Sequence, residues 1–171
     1  MESTSAEAGK LVRKIEEEIL LIKTNEQNSK SFVIAMGEDA EDLRPKYDFA
    51  AVQERLEELY DALRKVKHTI NMFNTSHELP GFPGLTVDQA LVKIPQLNGL
   101  KMKLERMVKR LPKERLTGLN SRNNIIEYTI ANYDIEEVEK KYKEVSEEIS
   151  RLQLSLDKVN TTETMEIDVE F

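Results

Sequence analysis

The chain has 171 residues, a net charge of −7 and no cysteine. The absence of thiols excludes disulfides, thiolate metal sites and a cysteine nucleophile. The acidic balance argues against a general nucleic-acid binder, although a local basic patch remains compatible with it. One third of the residues are charged and only 6% are aromatic, which is typical of long helices rather than deep catalytic clefts. The length fits one domain spanning residues 1–171, with enough residues to bury a core.

The hydropathy pattern predicts a soluble protein that does not enter membranes, and the absence of cysteine suits a reducing compartment such as the cytoplasm. The first ten residues lack a basic start followed by an apolar stretch, so we expect no signal peptide. No segment approaches the roughly 18 uninterrupted apolar residues that a membrane-spanning helix requires.

Two helices are predicted in the first half of the chain, at about residues 6–24 and 48–74. The first carries an apolar stripe, and the second has an apolar residue at every third or fourth position, preceded by Asp48 as N-cap. The regular series in this second helix consists of Phe49, Val52, Leu56, Leu59, Leu63, Val66, Ile70 and Phe73. Because the remaining positions are mostly charged, this apolar face is a narrow heptad seam that needs a partner.

Two further helices are predicted in the second half, at about 87–111 and 135–160. Each begins with a capping-box pattern, Thr86–Gln89 and Asp134–Glu137. Pro95 lies inside the first of these, where we expect a kink or a break. The second carries another regular seam, made of Ile135, Val138, Tyr142, Val145, Ile149, Leu152, Leu156 and Val159.

Short strands are predicted at about residues 31–36, 125–132 and 165–171, from apolar runs or alternating apolar and polar residues. Because a lone strand is unstable, these strands should pair. The most available partner for the C-terminal strand is Ile126–Ile130. Together the patterns predict a mainly α fold, an antiparallel long-helix bundle or coiled coil with a small β-sheet.

The order of these segments resembles the septicolysin-like family, small and mostly uncharacterised bacterial helical proteins. The resemblance is carried by Thr69–Asn74, by Leu85–Leu91, and by Arg122 before Ile126–Tyr128 and Tyr133–Asp134. It implies the helical fold over nearly the whole chain. The family name implies a pore-forming toxin, whereas no residue pattern in this chain indicates lysis.

We predict no catalytic residue, no cofactor and no metal site. His68 and His77 are the only histidines, and both are interpreted as surface imidazoles. The acidic run Glu38–Asp42 lacks the spacing of a calcium loop and is interpreted as solvated. An enzyme whose site forms only between subunits is the weakest functional alternative.

One segment, Lys101–Arg122, is strongly basic. A phosphate-contacting patch would be made of Lys103, Arg106, Lys109, Arg110, Lys113 and Arg115. The favoured interpretation is instead that these cations complement acidic helix faces of the same chain or of a neighbouring subunit, because no aromatic residue is interleaved in the run.

The preferred function is therefore a non-catalytic structural or interaction protein that forms a homo-oligomer through its two heptad seams. A nucleic-acid-associated protein that uses the basic run is the alternative. The sequence predicts neither the biological role nor the identity of a partner.

Overall fold

The computed structural model describes residues 1–116 and 126–169, and it confirms a mainly α fold with small β elements. The helices are α1 (Ser5–Ser29), α2 (Ala40–Leu43), α3 (Phe49–Ser76), α4 (Val87–Val108) and α5 (Ile135–Thr162). The strands are β1 (Glu2–Thr4), β2 (Lys113–Arg115), β3 (Tyr128–Ile130) and β4 (Thr164–Glu166). The chain groups into two compact units, Glu78–Asp157 and the segments on either side of it.

In the unit formed by the two chain ends, α1 packs antiparallel against α3. Gln53, near the start of α3, contacts Glu26 near the end of α1, and Lys67, farther along α3, contacts Glu16 nearer the start of α1. Buried apolar residues from both helices lie between these polar edges and include Ile15, Ile19, Leu56, Leu59, Val66 and Phe73. Asp48 caps α3 as predicted, since its carboxylate accepts a bond of 3.1 Å from the amide of Ala51.

The C-terminal strand pairs with the N-terminus of the chain. Glu2, Ser3 and Thr4 lie opposite Glu166, Met165 and Thr164 in an antiparallel register. The predicted partner, Ile126–Ile130, was therefore wrong, and the strand is shorter than predicted; Glu170 and Phe171 lie outside the described residues. The prediction failed because β1 is polar and shows no apolar alternation, while the buried apolar side chains are Met165 of β4 and Ile167, which follows it.

The predicted strand at 31–36 was also wrong. Residues 31–35 belong to no strand, and a turn follows at Met36 and Gly37, where the glycine φ of +97° favours a residue without Cβ. The acidic run beyond this turn contains the one-turn helix α2, capped by Asp39 through a bond of 2.9 Å from the amide of Glu41. The apolar composition of 31–36 predicted a strand, but no strand of the described chain pairs with this segment.

In the other unit, α4 packs antiparallel against α5. Leu104 from α4 and Val138, Val145 and Ile149 from α5 form a buried cluster. Lys93 and Glu148 form an ion pair of 2.7 Å at its edge. Pro95 lies inside an uninterrupted helix, so the break that its presence suggested does not occur.

The heptad seams lie in the interior of this fold. Of the α3 seam, Phe49 alone is strongly exposed, at 64%, and the seam of α5 is buried or half-buried throughout. The seams thus form intrachain core, and they do not require a second subunit to cover them. Homo-oligomerisation itself stays a prediction, and it would have to use other surfaces.

Candidate functional site

The basic run extends from the end of α4 into a two-stranded β-ribbon, β2 and β3. Lys113, Glu114 and Arg115 lie opposite Ile130, Thr129 and Tyr128. The ribbon is anchored at its base, because the amide of Ala131 donates to the Pro112 carbonyl at 3.0 Å. The Tyr133 hydroxyl donates to the carbonyl of Met107 in α4, at 2.9 Å. These bonds hold the ribbon to the C-terminal end of α4.

One face of the ribbon combines cations with an aromatic ring. Side chains directly opposite one another in an antiparallel pair share a face, so Arg115 and Tyr128 lie on the same side as Lys113 and Ile130. The Lys113 ammonium lies 4.1 Å from the centre of the Tyr128 ring. Tyr128 is 48% exposed and Ile130 is 66% exposed, and the two cations of β2, Lys113 and Arg115, are also exposed to solvent. We call this face the ribbon face.

Three further cations of the basic run lie in the last two turns of α4 or just past its end. Lys103 and Arg106 are three residues apart and therefore lie on one side of the helix, and Arg110 follows one turn later, just past the helix end. All three are exposed. None of them forms an ion pair with any residue in the ranges 1–116 and 126–169; Arg106 bonds only to the backbone carbonyl of Met102.

Lys109 differs from these cations because it has a partner. Its ammonium contacts the Glu105 carboxylate at 2.5 Å, one turn back along α4. This hydrogen bond lowers the pKa of Glu105 and raises the pKa of Lys109. Both groups are therefore charged near neutral pH and neutralise each other locally, which makes Lys109 the weakest of the predicted phosphate contacts.

The interpretation of the basic run as a complement to the chain's own acidic helices finds no support in the described ion pairs. Ion pairs that join different helices include Arg55–Glu18, Lys67–Glu16 and Lys93–Glu148, and none of these three includes a residue of the basic run. Within residues 101–116, seven cationic side chains stand against two carboxylates. The local charge is thus strongly positive in a chain whose net charge is −7.

Sequence reasoning found the cations of this site and missed the aromatic residue. Tyr128 is separated from Lys113 by fifteen positions of sequence and joins it only through strand pairing. The alternation of Ile126, Tyr128 and Ile130 did predict a strand, but its partner was assigned wrongly. Arg122, at the end of the predicted basic segment, lies outside the described residues.

The other candidate chemistry is dispersed. The His77 ring stacks on Phe73 with centroids 3.8 Å apart, and its Nδ1 lies 3.1 Å from the Phe73 carbonyl, a helix-end arrangement. His68 is exposed on α3. Within the described ranges no three His, Asp or Glu side chains are grouped as metal ligands. None of the helices in those ranges combines the length and apolar character needed to cross a bilayer.

Comparison with known proteins gives one structural likeness. The chain is similar to a functionally unknown conserved protein from Corynebacterium diphtheriae, with a TM-score of 0.60 and 18% identity over 97% of this chain and 100% of that one. At this identity the likeness shows the fold alone. No family model matches the chain, and neither does any curated protein.

Proposed function

We propose that the chain is a non-catalytic cytoplasmic protein that binds single-stranded nucleic acid through the ribbon face and the adjoining end of α4. The observation that carries the proposal is the half-exposed Tyr128 ring, flanked by Lys113 and Arg115 on one face of an exposed ribbon. Single-strand binders combine aromatic rings, on which bases stack, with cations that follow the phosphate backbone.

The magnitudes favour exchange of Lys113 for a nucleobase at the Tyr128 ring. An exposed cation–π contact contributes about 0.5–1 kcal/mol, whereas base stacking on an aromatic ring contributes about 1–3 kcal/mol. The displaced ammonium remains within side-chain reach of the ring and can contact a neighbouring phosphate. The binding free energy is therefore more favourable when a base replaces Lys113 on the ring and Lys113 contacts the nucleic-acid backbone.

The acidic net charge of the chain does not prevent this binding. At physiological ionic strength the Debye length is about 8 Å, so a phosphate on the ribbon face is influenced chiefly by charges within that range. Arg110, Lys113 and Arg115 lie within six residues of one another. Exposed bases are required for stacking on Tyr128, which favours single strands over a duplex.

A simpler role exists for part of this surface, because cations at a helix C-terminus stabilise the helix macrodipole. That role suits Arg106, Lys109 and Arg110. It does not account for Lys113 and Arg115, which lie on a ribbon beyond the helix, or for the exposed aromatic ring between them.

The proposal is tested by reversing three charges. In the variant Arg110→Glu, Lys113→Glu and Arg115→Glu, binding of fluorescent oligo-dT and oligo-U, measured by anisotropy in low salt, should fall at least 100-fold. Comparing the two oligonucleotides separates DNA from RNA preference. Circular dichroism should be unchanged, because all three side chains are exposed.

A matched control keeps the net charge equal. Arg13→Glu, Lys46→Glu and Lys140→Glu reverse three exposed cations elsewhere, and each set changes the charge by the same six units. The control should bind oligonucleotides within about threefold of the native chain. If the native chain fails to bind either oligonucleotide in low salt, or if both variants lose affinity equally, the proposed function is wrong. Retention of an acidic protein in place of oligonucleotides would also contradict it.

A further inference from the structure

Residues 32–36, which lie between α1 and α2 in the unit formed by the two chain ends, are apolar and exposed to solvent. Val33 is 95% exposed and Met36 is fully exposed, while Phe32 and Ile34 are 39% and 45% exposed. Phe32 and Ile34 are thus less exposed than Val33, which lies between them. Residues 31–35 contain no turn or bend. Neighbouring exposed apolar residues on a soluble chain mark an interaction surface.

The backbone of this segment is available for pairing. At its end the Ala35 amide donates to the Glu38 carboxylate at 2.7 Å, and the Ala35 carbonyl accepts from the Glu38 amide at 3.2 Å. The amides and carbonyls of Phe32, Val33 and Ile34 have no partner in the described parts of the chain. Three apolar, β-prone residues therefore present free donors and acceptors to solvent.

We propose that a second copy of this chain covers the segment by antiparallel strand pairing centred on Val33. In an antiparallel ladder, hydrogen-bonded and non-hydrogen-bonded residue pairs alternate. If Val33 faces Val33 of the second copy as a non-hydrogen-bonded pair, Phe32 and Ile34 form the hydrogen-bonded pairs. This register uses the free backbone groups of Phe32 and Ile34 and leaves the two bonds of Ala35 intact. If Val33 formed a hydrogen-bonded pair instead, the ladder would require the backbone groups of Ala35, and these bonds would have to break.

Charge selects the antiparallel direction and the second copy as occupant. Lys30 precedes the segment, and Glu38 and Asp39 follow it. Antiparallel pairing places Lys30 of each copy near the carboxylates of the other, whereas parallel pairing would place like charges together. The resulting dimer is isologous, with the same surface contributed by both copies. The carboxylates also disfavour an anionic membrane surface as the occupant.

The first test compares two equally exposed positions. Val33→Arg places two like charges directly opposite each other on the proposed dyad, whereas Met36→Arg adds the same charge in the turn, off the dyad and beyond the last hydrogen-bonded pair. The native chain should dimerise with a dissociation constant between about 1 µM and about 1 mM, the range of small interfaces, in sedimentation equilibrium. Val33→Arg should weaken the dimer at least tenfold, and Met36→Arg by less than threefold.

The second test uses the absence of cysteine in the chain. Opposed residues of a non-hydrogen-bonded pair have Cα atoms about 4.5 Å apart, within the range for a disulfide. Mild oxidation should therefore crosslink V33C into a dimer on non-reducing gels, whereas M36C should stay a monomer. Three results would overturn the proposal: a monomeric native chain at 1 mM protein, equal crosslinking of both variants, or vesicle binding lost in Val33→Arg without any dimer. Oligonucleotide binding by Val33→Arg should equal that of the native chain, which separates this proposal from the proposed function.

Discussion

Replacing Ile167 by alanine tests how strongly the C-terminal strand is held. Ile167 is 1% exposed, so the substitution removes buried methyl and methylene groups and leaves a cavity. Truncation of a buried Ile to Ala costs about 2–5 kcal/mol of unfolding free energy. The backbone bonds of residue 167 remain, since the Met1 ammonium donates to its carbonyl at 2.8 Å and its amide donates to the Met1 carbonyl at 2.8 Å. We expect the lower half of the range, about 2–3.5 kcal/mol.

Urea denaturation followed by circular dichroism measures this difference. Ile130→Ala is the matched control, because Ile130 lies in a two-stranded sheet, whereas Ile167 directly follows one, and Ile130 is 66% exposed. The control should change the unfolding free energy by less than about 0.5 kcal/mol. Equal effects of the two substitutions would refute the assignment of Ile167 to the core and with it the pairing of β4 with the N-terminus.

Further predictions concern the ribbon face and the hydrogen bond between Ser155 and Pro80. Tyr128→Ala should raise the dissociation constant for oligo-dT about 5- to 150-fold in anisotropy titrations, which corresponds to the loss of about 1–3 kcal/mol of stacking. Tyr128→Phe keeps the ring and should change the dissociation constant less than threefold. A loss of affinity in both variants would mean that the ring does not stack on a base. Ser155→Ala should lower the unfolding free energy by about 1 kcal/mol in urea titrations, because its buried hydroxyl donates to the Pro80 carbonyl at 2.8 Å. Ser150→Ala, which removes an exposed hydroxyl, should lower it by less than about 0.5 kcal/mol, and equal losses in the two serine variants would contradict the role of the Pro80 bond.

The long helices could be predicted from sequence because their determinants are local. Apolar residues at every third or fourth position fix which face of α3 and α5 is buried, and the caps are set by neighbouring residues. The Thr86 amide donates to the Gln89 side chain at 3.1 Å, as the capping-box pattern predicted. The Asp134 carboxylate accepts from the amide of Glu136 at 2.8 Å at the start of α5.

Strand pairing could not be predicted because its determinants lie far apart in the chain. β1 pairs with β4 across 160 or more positions of sequence, and the polar sequence of β1 shows no apolar alternation. The segment 31–36 has the composition of a strand, yet the described chain offers it no partner. Local β propensity indicates that a segment can form a strand. Whether the strand pairs depends on which other segment the packed helices place next to it.

The candidate site was half predictable for the same reason. Its cations are contiguous in sequence, from Lys103 to Arg115, and were visible as a basic run. Tyr128 joins them only through the β2–β3 register. The burial of the seams was also invisible in sequence, because heptad periodicity specifies a covered face without stating whether the cover comes from the same chain.

The salt dependence of oligo-dT affinity tests the central claim most directly. Five exposed cations outside ion pairs, Lys103, Arg106, Arg110, Lys113 and Arg115, predict a slope of about −3.5 in log affinity against log salt concentration, at about −0.7 per single-strand phosphate contact. Reversal of Arg110, Lys113 and Arg115 should reduce the slope to about −1.4 or abolish binding. A native chain with no measurable affinity at 20 mM salt, or an affinity independent of salt, would contradict the account.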